Sequence, residues 1–160
     1  MFPGKRSSTV QVSEYGSLRE KIAAESQARK AKYAAFEAAF AKASAAGQAA
    51  GEAAKPRAMM VVQPSNPLND NSVPKAMWHV PEGACGFAWV NVSPGNAPFA
   101  NWLKKNKLAR KACYGGVDIW ISDFGQSVER KEACASAMAK VLKEELGDDK
   151  LSIYASSRLD

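Results

Sequence analysis

The residues with the most chemical potential in this chain are Cys85, Cys113, Cys134 and the single histidine, His79. A Cys–His nucleophile would have to use His79, which lies in a proline-rich segment. Cys134 falls on the apolar stripe of an expected helix, where a thiol packs as a small hydrophobe. Cys113 is expected to be exposed near Lys111, with no base beside it. An odd number of widely spaced cysteines, none in a Cys-x-x-Cys pair, does not fit a disulfide framework. One histidine supplies no clustered zinc ligands. No metal and no cofactor is implied, and reduced thiols in a cytosolic setting are the plain reading.

Asp118 and Asp123 differ in strand parity, so paired-carboxylate chemistry is unsupported. The glycines at 83, 86, 95, 115 and 116 spell neither a Walker A loop nor a dinucleotide fingerprint. One loop has a different potential. Gln126 and Ser127 open a helix whose free N–H groups can hold a phosphate or carboxylate. Arg130 and Lys131 stand in its first turn, where the dipole disfavours cations. That misfit marks Gln126, Ser127 and Arg130 as a candidate anion site and, with Asp123, as the place for a small-ligand enzyme's pocket. The competing reading pairs these cations with Glu129, Glu132 or a neighbour.

The strongest binding signal is aromatic. In Gly116-Val117-Asp118-Ile119-Trp120-Ile121-Ser122 the apolar residues alternate strictly, so Val117, Ile119 and Ile121 face a core. Trp120 then stands on the polar face, which must be covered or must bind something.

The elements that position these residues follow from composition and pattern. At 160 residues, 46% hydrophobic and 24% charged, the chain is long enough for one well-buried core. The net charge of +6 favours anionic partners. No apolar run approaches a membrane span, and the first residues lack a secretory signal's apolar segment. Residues 1–13 are expected to be flexible. Residues 14–55 form a helical arm, helical to about residue 46, with Ser13 or Ser17 as N-cap. Gly47 and Gly51 weaken its far end. Tyr33, Phe36 and Phe40 form a stripe that needs a docking surface. The plain reading is a docked or self-associating helix; the alternative is a basic helix lying on nucleic acid or lipid.

Residues 56–85 hold five of the eight prolines and read as a linker or wrapping segment. Within it, Met59-Met60-Val61-Val62 reads as a short strand. Met77-Trp78-His79-Val80 reads as a second strand or an apolar anchor. Residues 86–160 read as a small α/β domain. Its first strand, from Gly86 to Val92, is followed by a turn and a helix with Asn96 at its start and Pro98 in the first turn. A strand at 110–114, a Gly115-Gly116 two-residue turn and the Trp120 strand come next. A helix capped by Ser127 and stopped by Gly147 leads to a last strand from Leu151 to Ala155.

The order is βαββαβ, the ferredoxin-like two-layer α+β sandwich preceded by a long Ala-rich helix; if residues 110–114 are a loop, the fallback is a three-stranded βαβαβ unit. Alternation puts Phe87, Trp89, Trp120 and Tyr154 on the sheet face away from the helices. The two-residue turn adds Lys111 beside Trp120 for a cation–π contact. This is a base-stacking platform on a topology that RNA-recognition modules also use, without their aromatic signature. The same face is an apolar surface that the chain's own helix or a second subunit could cover.

The run Gly86-Phe87-Ala88-Trp89-Val90, Phe99, Trp102-Leu103, Tyr114-Gly115-Gly116, Gln126-Ser127, Arg130-Lys131-Glu132-Ala133 and Val141-Leu142 resembles small uncharacterised proteins of bacteriophages and some bacteria. The resemblance implies a viral or prophage context, in host cytoplasm or virion, and nothing about mechanism. Three functions therefore stand: a non-enzymatic phage-type interaction module, a single-stranded nucleic-acid-binding protein, and a small-ligand enzyme using the 123–130 loop.

Overall fold

The computed structural model describes residues 9–160, with side chains from residue 16. The protein is α+β, with a long N-terminal helix and two small antiparallel sheets. The chain divides into two units, Met1–Glu37 and Ala38–Asp160, and the helix α1 (Thr9–Ala53) contributes to both. The flexible segment expected at 1–13 lies outside the described residues as far as residue 8; from Thr9 the chain is helical. Ser13 and Ser17 therefore lie inside the helix and not at its N-cap. Nearly all of residues 16–35 are exposed, which fits a helix rich in Ala, Lys and Glu. Tyr33 and Phe36 stack on each other with centroids 6.4 Å apart, and Lys32 lies over Phe36.

The second unit begins with residues 38–53 of α1, and here glycine is the packing residue. Ala43, Gly47 and Gly51, four apart, are all buried. A Cβ at Gly47 would lie 3.0 Å from the carbonyl oxygen of Cys134. The two glycines thus form a flat groove on the helix surface, where close approach outweighs their cost of about 1 kcal/mol each in helix propensity. The helix runs to Ala53 because tertiary contact holds the end that composition weakens.

Residues 56–85 are more ordered than a linker. The strands β1 (Met59–Pro64) and β2 (Pro74–Val80) pair with each other as an antiparallel hairpin, Val61 opposite Trp78. Met60, Val62, Met77 and Trp78 remain exposed.

The remaining elements are β3 (Gly86–Ser93), α2 (Pro98–Lys105), β4 (Arg110–Lys111), β5 (Val117–Trp120), α3 (Val128–Leu146) and β6 (Ser152–Leu159). The four strands form one antiparallel sheet in the order β4-β5-β3-β6. Ala88, Val90, Val92, Val117, Ile119, Ile121 and Ile153 are buried on one face, as alternation requires. The helix α3 packs on β3 and β6 and buries Val128, Ala135, Met138 and Leu142, and α2 buries Phe99 and Leu103. Full burial of each large aliphatic side chain contributes about 1.5–3 kcal/mol. The α2 N-cap is Ala97 and not Asn96, whose carbonyl instead accepts from Asn101. Gly147 ends α3 in the left-handed conformation (φ 52°) expected of it.

One register differs from the sequence reading. Lys111 pairs with Val117 and Arg110 with Asp118, so the turn spans residues 112–116 and not Gly115-Gly116 alone. Asn91 sets this longer turn: its buried Nδ2 donates to Asp118 Oδ1 (2.7 Å) and to the Gly115 carbonyl (3.2 Å). The shift is odd in residue number, so it exchanges the faces of Arg110 and Lys111.

Candidate functional site

The sheet face opposite the helices carries the aromatic residues expected there. Trp89 of β3 stands directly opposite Trp120 of β5. Their rings stack with centroids 5.2 Å apart and planes 18° from parallel. Phe87 meets Trp120 edge-on at 5.8 Å. All three are half-buried. Such pairs contribute roughly 0.5–1.5 kcal/mol beyond area burial. Tyr154 is in register with Asn91 on the same face and is exposed.

The cation over Trp120 is Arg110 and not Lys111. The Arg110 guanidinium lies 3.7 Å from the Trp120 ring centroid. Lys111, exposed and opposite Val117, has the other strand parity. Arg158, opposite Phe87, lies 5.4 Å from that ring, and Lys131 approaches it at 5.5 Å. Beside the stack is a cleft of about 410 Å³ whose lining includes Lys104, Lys107, Arg110, Asp118 and Trp120. Three of these residues are cations and one is a carboxylate, and Asn91 already donates to that carboxylate. The β4 pairing ends at Asp118, so β5 reaches Trp120 without a neighbour on that side. Trp120 Nε1 is buried without a hydrogen-bond acceptor among the described residues.

Of the aromatic stripe of α1, Phe40 lies in the second unit. Phe40 packs edge-on against Trp102 of α2, centroids 6.0 Å apart. Residues 38–53 thus dock on the helical layer: Gly47 approaches Cys134 of α3, and Lys42 pairs with Glu145. Phe40 and Gln48 share with Ile119, Trp120, Cys134 and Met138 a cavity of about 450 Å³, so α1 reaches the edge of Trp120 as well. Burial, with a smaller contribution from Asp123, pushes the Cys134 thiol up to about 11, so it is protonated at neutral pH and a poor nucleophile.

The Gln126, Ser127 and Arg130 group does not converge on an open site. Arg130 Nη1 donates to the carbonyls of Gly51 and Glu52 at the end of α1, and its Nε pairs with Glu82 at 2.7 Å. It caps that helix, where a cation is favoured. Ser127 is the α3 N-cap residue, but its buried Oγ has no partner among the described residues. The Val128 amide is taken by the Ala84 carbonyl, and Gln126 is exposed with its carbonyl bonded to the Gly86 amide. Lys131 is buried and donates to the Gly86 carbonyl. Both first-turn cations are therefore consumed by the fold.

Arg110 and Arg158 are the site residues that sequence reasoning missed. Arg158 was within reach, because extending the last strand by three residues places it on the parity of Tyr154. Arg110 depended on the register that Asn91 fixes. Among the described residues no group of His, Cys, Asp or Glu could hold a metal ion, and no helix is long and apolar enough to cross a membrane. The chain matches no protein-family model, no curated protein and no solved structure.

Proposed function

We propose that residues 38–160 form a binding module whose aromatic sheet face holds single-stranded nucleic acid. The observation that carries this reading is the Trp89–Trp120 stack under the Arg110 guanidinium, opening beside a cleft lined by Lys104 and Lys107. Bases gain about 1–3 kcal/mol each by stacking on aromatic rings, and cations hold the backbone alongside. A ferredoxin-like plan for the sheet with α2 and α3 is part of the proposal. It is supported by the βαββαβ order and by central β3 and β5 between β4 and β6. The resemblance of the C-terminal half to small phage and bacterial proteins adds an accessory role in a viral or prophage setting.

The test is fluorescence titration with unstructured oligonucleotides at several salt concentrations. Affinity should fall linearly with salt on logarithmic axes, with a slope of about 0.7 for each phosphate neutralised on a single strand. Lys104→Ala with Lys107→Ala should lower that slope. Salt-independent binding, or an unchanged slope in this variant, would remove the basic cleft from the proposal.

A second reading has its own observation. The β1–β2 hairpin exposes Met60, Val62 and Met77 on one side and Val61 and Trp78 on the other. A two-stranded hairpin gains little stability alone, and apolar surface on both sides fits contact with another polypeptide. Concentration-dependent mass in solution, abolished by Met60→Lys with Met77→Lys, would support that reading; a monomer at all concentrations would count against self-association.

A further inference from the structure

The two tryptophans do not offer equal surfaces. At one level of the sheet the cross-strand row runs Trp120, Trp89, Ser156, since Trp89 pairs with Trp120 on one side and with Ser156 on the other. The indoles are nearly parallel and 5.2 Å apart, so they form an offset stack across the strand pair. At the β4 end Arg110 covers the outer side of Trp120. Trp120 is therefore occupied on both faces. At the β6 end the stack stops: among the described residues no ring other than Trp120 and no cation lies on Trp89. The neighbour there is a half-buried serine, the shortest polar side chain, which fills less of the space beside Trp89 than any other polar residue would. Tyr154 and Arg158 flank Ser156 on the same face of the strand, each about 7 Å away along it. Arg158 is steadied by the Phe87 ring.

We propose that the slot above Ser156 takes one unpaired nucleobase, which extends the stack Arg110–Trp120–Trp89 by a single ring while Arg158 meets an adjacent phosphate. This inference rests on the single-strand-binding reading of the sheet face and assigns its stacking contact. Charge selects the occupant. Arg110 and Arg158 stand on the face, and Lys104 and Lys107 line the neighbouring cleft, so an anionic strand is attracted. One base stacks on the tryptophan pair, not two. Trp89 is the contact residue and Trp120 the positioning residue that keeps the Trp89 indole upright.

The probes are fluorescein-labelled oligothymidylate and oligoadenylate at low salt, with affinity read by anisotropy. Ser156→Leu fills the slot and should weaken binding about tenfold or more, the range that one base–aromatic stack supplies. Ser156→Gly leaves the slot open and should bind within about twofold of the unmodified protein. Trp120→Phe keeps a ring behind Trp89 and should lose less than Trp89→Phe. The far-ultraviolet circular dichroism couplet of the stacked indoles reports that the pair survives in both Ser156 variants. Undiminished binding by Ser156→Leu, with binding lost in Trp89→Ala plus Trp120→Ala, overturns the slot while leaving the sheet face as the binding surface. An equal loss in Ser156→Gly also overturns the slot. Absence of binding by the unmodified protein overturns the function and the slot together. Concentration-dependent burial of Trp89 without oligonucleotide, abolished by Ser156→Leu, would make the face a contact between copies and overturn the proposal.

Discussion

Replacing Gly51 by alanine should destabilise the protein, against the usual direction for an interior helix position. Alanine in place of glycine ordinarily gains about 1 kcal/mol of helix propensity. Here the added Cβ would lie 2.2 Å from Cζ of Phe124, 2.4 Å from Cε2 and 2.9 Å from Cε1. Ordinary carbon contacts are about 3.5–4.0 Å, so the ring must retreat by more than 1 Å. Its backbone resists, because Phe124 has φ 67°, a left-handed conformation that costs a non-glycine residue about 1–2 kcal/mol and persists only where packing fixes it. Overpacking of this kind costs about 1–3 kcal/mol. We expect Gly51→Ala to lose about 1 kcal/mol in urea denaturation with an unchanged m value. In a Phe124→Gly background the clash is gone and the same substitution should gain about 1 kcal/mol, a coupling of about 2 kcal/mol. Equal stabilisation in both backgrounds would show that the ring does not rest on Gly51, and would refute the packing of the Phe124 loop on the end of α1.

The thiols should divide by burial: Cys85 and Cys113 are exposed and should react quickly with a thiol reagent at neutral pH, and Cys134 only on unfolding. The raised Cys134 value has a definite sign in stability. The folded protein holds that proton while the unfolded chain releases it, so stability should decline as pH rises from the ordinary thiol range towards about 11, and Cys134→Ala should remove that decline. Arg130→Ala removes two bonds to the end of α1 and the Glu82 pair, and should cost about 1–3 kcal/mol; Arg130→Lys should restore only part, since a lysine lacks the fork. The stacked indoles should give an exciton couplet in far-ultraviolet circular dichroism that disappears in Trp89→Phe and in Trp120→Phe.

What could be read from the sequence was whatever short-range periodicity determines. Alternation in β3 and β5 identified the buried Val90, Val92, Val117 and Ile119 and, by the same parity, the aromatic face of Phe87, Trp89 and Trp120. The α3 stripe and its Gly147 stop are local in the same way. The turn before β5 was not local. Two adjacent glycines allow a two-residue hairpin turn, but the Asn91 side chain, a strand away, holds the longer one, and this moved the cation over Trp120 from Lys111 to Arg110. Gly47 and Gly51 were misleading for a related reason. Alone they weaken a helix, and only the approach of Cys134 and Phe124 explains their presence. Arg130 read as an anion ligand because its own helix disfavours it, when it serves the end of another helix. In each case a partner distant in sequence decided the role.

We propose above that the sheet face, through its paired tryptophans, holds single-stranded nucleic acid. The direct measurement is the affinity of the full chain for an unstructured oligonucleotide at low salt, compared with Trp89→Ala plus Trp120→Ala after folding of the variant has been verified. Binding should weaken steeply with salt and fall at least tenfold in the double variant. Equal affinity in the two proteins would contradict it.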